Sequence, residues 1–159
     1  MLKKYSLLAI MLLMICSGCG TGTGIDDADP VSVKIKFDKS KYTKDDSIKI
    51  VIEVNFMNDD SKSGKILLDA DKPVTFVGQN QFEFKDIKVG KKKTFELELA
   101  KPFDINGSGI IKANLYTYNS SGDQLYYGFD VIYYLIYDEG VMLGEYSIDT
   151  LRRELDKQK

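Results

Sequence analysis

Residues 110–138 read IIKANLYTYNSSGDQLYYGFDVIYYLIYD, and this stretch predicts a long β-hairpin. Two runs rich in β-branched and aromatic residues, 110–119 and 124–138, stand on either side of a short polar segment. Runs of this composition are typical of strands. Gly122 fits the left-handed position of a three-residue hairpin loop. The stretch therefore predicts two long antiparallel strands joined by residues 120–122.

The loop also predicts the register of the hairpin, because it places Asn119 opposite Asp123. The expected cross-strand pairs on the core face are Leu115 with Tyr127, Ala113 with Phe129, and Ile111 with Val131. On the outward face the expected pairs are Lys112 with Asp130 and Tyr116 with Tyr126. One face is then apolar, while the other carries an ion pair and a tyrosine pair. A slip of one residue would mix polar residues into the apolar face, which argues against it.

The same two-residue period continues towards the N-terminus. Apolar residues alternate with polar ones in three further runs, at 31–37, 48–56 and 94–99, and shorter candidate strands lie at 66–68, 74–77 and 82–84. Segments rich in glycine, asparagine and aspartate separate the runs and are typical of turns. We expect about seven or eight antiparallel strands, and hence an all-β domain built in two layers.

The pattern resembles the immunoglobulin-like domains that are common on bacterial surfaces. Residues 42–50 (YTKDDSIKI) and 89–97 (VGKKKTFEL) carry the resemblance, which covers most of 31–138. It implies an immunoglobulin-like antiparallel β-sandwich, although the cysteine pair and the tryptophan of antibody domains are missing. A lipocalin-like β-barrel is the alternative fold.

A short helix is expected at residues 147–157, after the last strands. Ser147 can cap its first turn, and Ile148, Leu151 and Leu155 form one apolar stripe. We expect this helix to cover an edge of the β-domain, which then extends over residues 31–159.

The first residues predict an export signal. Lys3 and Lys4 precede an apolar run at 7–15, which is shorter than the roughly 20 residues of a membrane span. Ser17, Gly18 and Cys19 follow, and this layout resembles the signal of bacterial prolipoproteins. The resemblance implies that residues 1–18 are a signal peptide and that Cys19 receives a diacylglycerol. Residues 19–30, which are rich in glycine and acidic side chains, then form a flexible tether.

These features predict a location on the extracytoplasmic face of a cell membrane, with Cys19 as the lipid attachment site. The frequent lysine, isoleucine and asparagine favour a Gram-positive source. The formal charge of −2 gives no reason to expect nucleic acid as a partner. Histidine is absent, which excludes Ser-His-Asp and Cys-His catalysis and histidine-ligated metals. We therefore expect no catalytic residues, no metal and no cofactor.

Tyrosine is unusually frequent, with ten residues against no tryptophan. In the expected register Tyr116, Tyr126 and Tyr134 lie on the outward face, where they would form a surface for a protein or cell-wall partner. The alternative is that they pack beneath the C-terminal helix. The leading hypothesis is a non-catalytic surface lipoprotein that acts as a binding module. The others are an inhibitor or immunity-type protector against a secreted hydrolase, and a hydrolase that uses carboxylates alone.

Overall fold

The computed structural model describes residues 31–57, 61–85, 87–100 and 105–157, and the alternating segments form strands throughout these ranges. The expected signal peptide (1–18) and tether (19–30), and with them Cys19, lie outside the described residues. The elements are β1 (Val31–Phe37), β2 (Lys41–Thr43), β3 (Lys49–Phe56), β4 (Ser63–Ala70), β5 (Thr75–Val77), β6 (Gln81–Lys85), β7 (Lys92–Ala100), β8 (Gly107–Tyr118), β9 (Gln124–Tyr137), β10 (Gly140–Gly144) and α1 (Ile148–Asp156).

The described strands form two antiparallel sheets. The order is β1-β3-β7-β5 in the four-stranded sheet and β2-β10-β9-β8-β4-β6 in the six-stranded sheet. Every pair of neighbouring strands runs antiparallel. The prediction of an all-β fold with antiparallel strands is confirmed.

One hydrophobic core takes side chains from both sheets. In β3 every second residue is buried, so Ile50, Ile52, Val54 and Phe56 enter the core while the residues between them remain partly exposed. Ile66 and Leu68 of β4 and Ile111 and Leu115 of β8 join the same core from the other sheet. The two-residue period of the sequence thus corresponds to a two-residue period of burial.

The β8–β9 hairpin contains a bulge that the sequence did not predict. The expected loop is present, since the backbone N–H of Asn119 donates to the carbonyl of Asp123 at 2.9 Å. Tyr118 then pairs with Gln124 but Thr117 pairs with Tyr126, which leaves Leu125 as an extra residue on β9. From this bulge onward the expected register is wrong by one residue. Because side chains alternate between faces, every later residue of β9 is exchanged between the core face and the outward face.

The expected ion pair between Lys112 and Asp130 is also wrong, for the same reason. Asp130 pairs with Ala113 and lies on the core face of β9. Its carboxylate accepts a hydrogen bond of 2.7 Å from the backbone N–H of Ile35, in the edge strand β1. Asp130 therefore joins the two sheets where β1 passes close to β9.

Helix α1 is close to the predicted range and is capped as expected, because the side chain of Ser147 accepts from the backbone N–H of Thr150. Leu151 packs with Leu135 and Met142, which are on β9 and β10. The helix thus covers part of the outward face of the six-stranded sheet, and the expectation that it covers an edge is wrong. The described residues contain no helix with the length and hydropathy needed to cross a membrane.

Glu53 links three strands on the outward face of the four-stranded sheet. Its carboxylate oxygens lie 3.0 Å from the ammonium of Lys36 on β1 and 3.0 Å from that of Lys92 on β7. Hydrogen bonds from Lys36 and then Lys92 are the main causes that lower the pKa of Glu53 from 4.5 to about 2.

We expect Glu53→Gln to lower the free energy of unfolding by up to about 1 kcal/mol at pH 7, because both lysines are exposed and their charges are screened by solvent. The folded-state pKa is depressed, so the contribution is complete above about pH 4.5 and is lost as the pH falls towards 2. Urea denaturation of wild type and variant across this range measures the difference. Glu96→Gln, on the same face, is the control; a difference that does not shrink with falling pH would contradict this assignment.

Candidate binding face

Only one of the three tyrosines expected on the outward face, Tyr116, lies there. Tyr134 is 0% exposed, and its hydroxyl lies 2.8 Å from the carbonyl of Asp71 and 2.9 Å from that of Lys72. Burial, followed by the nearby charge of Asp71, raises the pKa of Tyr134. Tyr126 is half-buried and packs against the main core. The expectation that Tyr126 and Tyr134 face outward is therefore wrong.

Glycines on the core face explain why these two tyrosines point inward. A Cβ at Gly109, the cross-strand partner of Tyr134, would lie 2.7 Å from the tyrosine hydroxyl. A Cβ at Gly128 would lie 2.7 Å from Cε1 of Tyr126. Each ring thus fills the space beside a residue that has no side chain. The bulge places Tyr134 opposite Gly109, whereas Tyr126 and Gly128 are two residues apart on β9 and share a face in either register.

The outward face instead carries Tyr116, Tyr127 and Phe129, which we name the aromatic face. The ring centroids of Tyr116 and Tyr127 are 5.1 Å apart, and those of Tyr127 and Phe129 are 6.3 Å apart. Tyr127 is 43% exposed and Phe129 is 57% exposed. Two large aromatic side chains on a regular sheet thus remain open to a partner, outside the area that α1 covers.

A hydrogen bond to the side chain of Asn114 holds Tyr127 in place. The side chain of Asn114 is almost fully buried, although it is polar and lies on the outward face. Its Oδ1 accepts from the hydroxyl of Tyr127 at 2.9 Å, and its Nδ2 donates to Asp69 Oδ2 at 3.0 Å. Both ends of the amide are thus satisfied, which fixes the orientation of the tyrosine ring. Sequence reasoning missed Asn114; a polar residue between Ala113 and Leu115 was the available signal.

Two half-buried lysines, Lys65 and Lys112, border the aromatic face. The Nζ atom of Lys112 lies 4.4 Å from the centroid of the Phe129 ring, within the range of a cation–π contact. Lys65 is the cross-strand partner of Tyr116. Glu83 on β6 is the second cross-strand partner of Lys65, and Asp69 on β4 is the cross-strand partner of Lys112. Within the described ranges neither lysine forms an ion pair.

The carboxylates that could serve chemistry are mostly engaged by the fold. Asp46 accepts from Lys39 Nζ and from the backbone N–H of Thr43, Asp71 accepts from the backbone N–H of Ile110, and Asp69 holds Asn114. Asp59 and Asp60 lie outside the described residues. A groove of about 440 Å³ beside β4 and β6 contains a single carboxylate, that of Glu83. In the described part of the chain, no cluster of three or more aspartate, glutamate or cysteine residues is placed to hold a metal ion.

Tyr42 has a raised pKa, and its environment is structural. The side chain is 1% exposed, and its hydroxyl donates to Asp38 Oδ1 at 2.5 Å. Burial, followed by this hydrogen bond, raises the pKa of Tyr42 to about 12. The phenol therefore remains protonated near neutral pH and is unsuited to act as a base.

Comparison with known proteins finds a likeness only among solved structures. No family model matches the chain, and no curated protein matches it. The fold is similar to the crystal structure of a FixG-related protein from Vibrio parahaemolyticus, with a TM-score of 0.39 and 12% identity over 65% of this chain and 94% of that chain. The candidate site is accordingly defined by the geometry of this chain.

Proposed function

We propose that this chain is a non-catalytic, lipid-anchored protein on the extracytoplasmic face of a cell membrane, and that it binds a partner protein through the aromatic face. The observation that carries the proposal is the exposure of Tyr127 and Phe129 on a sheet, with Tyr127 fixed by a buried amide. Rigid aromatic side chains offer a large contact area and lose little conformational entropy on binding.

The sequence Ser17-Gly18-Cys19 supports the anchor. Each buried methylene contributes about 0.8 kcal/mol, so one acyl chain binds a membrane marginally while two hold it firmly. A diacylglycerol on Cys19 would keep the β-domain at the membrane. A tether at 19–30 would let the aromatic face contact partners at some distance from the membrane surface.

We also propose that the β-domain is an immunoglobulin-like sandwich. Two separate antiparallel sheets that share one core support this arrangement. A lipocalin-like barrel would instead close a single sheet on itself. Each sheet has two edge strands, β1 and β5 in the four-stranded sheet and β2 and β6 in the six-stranded sheet, and these unclosed edges favour the sandwich.

Capture from intact cells tests the function. The full chain, with its signal and Cys19, is used as bait and compared with a variant that carries Tyr127→Ala and Phe129→Ala. We expect recovery of the specific partner to fall by about tenfold or more, since central aromatic residues dominate binding energy. The control is Tyr146→Ala, because Tyr146 is 71% exposed but lies beside α1. If every partner is retained by the double variant, the aromatic face is not the binding site.

The same bait tests the anchor. Mass spectrometry of the mature chain should find Cys19 as the first residue, with a diacylglycerol on its sulfur. An unmodified cysteine would contradict the lipoprotein assignment. A secreted hydrolase that is captured through the aromatic face would identify the module as an inhibitor or immunity-type protector.

A further inference from the structure

The size of the aromatic face indicates what it binds. With about 200 Å² for a fully exposed aromatic side chain, Tyr127 and Phe129 together offer about 200 Å² of surface at their exposures of 43% and 57%. A stable protein dimer buries about 800 Å² on each partner. The two rings offer about a quarter of that area, so we infer that the face suits a short segment of another protein better than a second copy of this chain.

The charges that border the face indicate the composition of that segment. Lys65 and Lys112 lie at opposite ends of the face, since Lys65 pairs with Tyr116 and Lys112 lies four residues before Tyr116 on β8. Four residues of a strand span roughly 13 Å. Both lysines are half-buried, and neither forms an ion pair within the described ranges, although Glu83 is a cross-strand neighbour of Lys65 and Asp69 is that of Lys112. A carboxylate near each ammonium would gain from both charges.

Resting on the proposed function, we propose that the aromatic face binds an extended acidic peptide segment of the partner. An apolar side chain of the segment packs on Tyr127 and Phe129, and carboxylates on either side of it contact Lys65 and Lys112. In an extended peptide, residues two apart point the same way, so an acidic residue, an aromatic residue and a second acidic residue at alternate positions match this arrangement. The hydroxyl of Tyr127 is engaged by Asn114, so the face offers this segment rings and ammonium groups.

Fluorescence anisotropy with defined peptides tests the composition of the segment. The probe is a labelled, acetylated peptide of aspartate, serine, phenylalanine, serine and aspartate. Its twin carries lysine in place of both aspartates. We expect the acidic peptide to bind at least about tenfold more tightly than its twin, and its affinity to fall as salt is added. Equal binding of the two peptides, or no binding of the acidic peptide, overturns the proposal.

Lysine variants test the placement of the charges. Lys65→Met and Lys112→Met keep an unbranched apolar side chain and remove the ammonium. Each should weaken binding of the acidic peptide by about three- to tenfold and should not weaken binding of its twin, whose lysines the removed ammonium repelled. Lys34→Met is the matched control, because Lys34 is a half-buried lysine on the four-stranded sheet. An equal loss in the control and the two test variants overturns the proposal, and urea denaturation of each variant verifies that it is folded.

Two further outcomes separate this inference from the proposed function. If capture from cells depends on Tyr127 and Phe129 but the acidic peptide does not bind, the function stands and the acidic segment is wrong. If neither measurement depends on these residues, both fail.

Tighter binding of poly(glycerol phosphate) than of the peptide would assign the face to a wall polymer. Sedimentation that shows a dimer, lost in Phe129→Ala, would assign it to a second copy of the chain. Each of these last two results overturns the inference.

Discussion

Gly140→Ala is expected to lower the free energy of unfolding by about 3 kcal/mol, at the upper end of the usual cost of overpacking. Gly140 opens β10 and pairs with Thr43 of β2 on one side and with Tyr137 of β9 on the other. A Cβ at this position would overlap the carbonyl oxygen of Tyr42 and crowd the Cα of Thr43. Both are backbone atoms, so relief requires β2 to move away from the sheet.

The displacement of β2 would also disturb Tyr42, whose buried hydroxyl donates to Asp38. Urea denaturation of wild type and variant measures the loss. Glu139→Ala is the control, because Glu139 is the exposed residue that precedes Gly140 in the same turn, and we expect a change within about 0.5 kcal/mol. A variant of Gly140 that is as stable as this control would show that β2 does not pack against β10 as closely as described.

The second large effect concerns Gly64 and Phe84, which pair across β4 and β6. The Phe84 ring lies over Gly64, so that a Cβ at residue 64 would overlap the ring. The ring cannot swing aside easily, because its centroid lies 5.8 Å from that of Phe56 and 5.7 Å from that of Phe95. We expect Gly64→Ala to cost about 2 kcal/mol through overpacking and Phe84→Ala to cost about 3 kcal/mol through the cavity that it leaves.

A double-mutant cycle separates the ring from other causes. In the Phe84→Ala background, Gly64→Ala should cost less than about 0.5 kcal/mol, because the atoms that it overlaps are gone. The coupling energy between the two positions would then be about 1.5 kcal/mol or more, from equilibrium unfolding of the four proteins. Additive single costs would mean that Gly64 is required for a reason other than the ring of Phe84.

The sequence was sufficient for most of the strands, although β2 and β10 were not predicted, and it was insufficient for the face that each strand presents. Alternation in residues 48–56 predicted β3, because burial on one side of a sheet needs only the two-residue period. The period does not say which of two registers a hairpin adopts when both offer aromatic residues. Tyr127 and Phe129 looked like core residues because they are large and apolar, while Gly128 and Asp130 did not.

The inward residues of β9 are understood only from their neighbours in three dimensions. The Tyr126 ring fills the space beside Gly128, and Asp130 accepts a hydrogen bond from Ile35, which is 95 residues away in the chain. A pattern read along one strand contains neither fact. The sequence predicted a tyrosine surface on the outward face of this hairpin, and Tyr116 is the one predicted residue that lies on that face. The roles of Asn114 and Lys112 depend on the observed register.

The extra residue at Leu125 divides the hairpin into two parts that differ in how they tolerate a change of length. Residues 120–122 form an exposed tip that closes on Asn119 and Asp123, and such tips commonly accept inserted residues or epitope tags. Deletion of a single residue just after Asp123 would exchange the core face and the outward face of β9. Tyr127 and Phe129 would then enter the core, and Asp130 would become exposed to solvent. Insertions and deletions among functional homologues should therefore occur at residues 120–122. The number of residues between this tip and Tyr126 should stay constant.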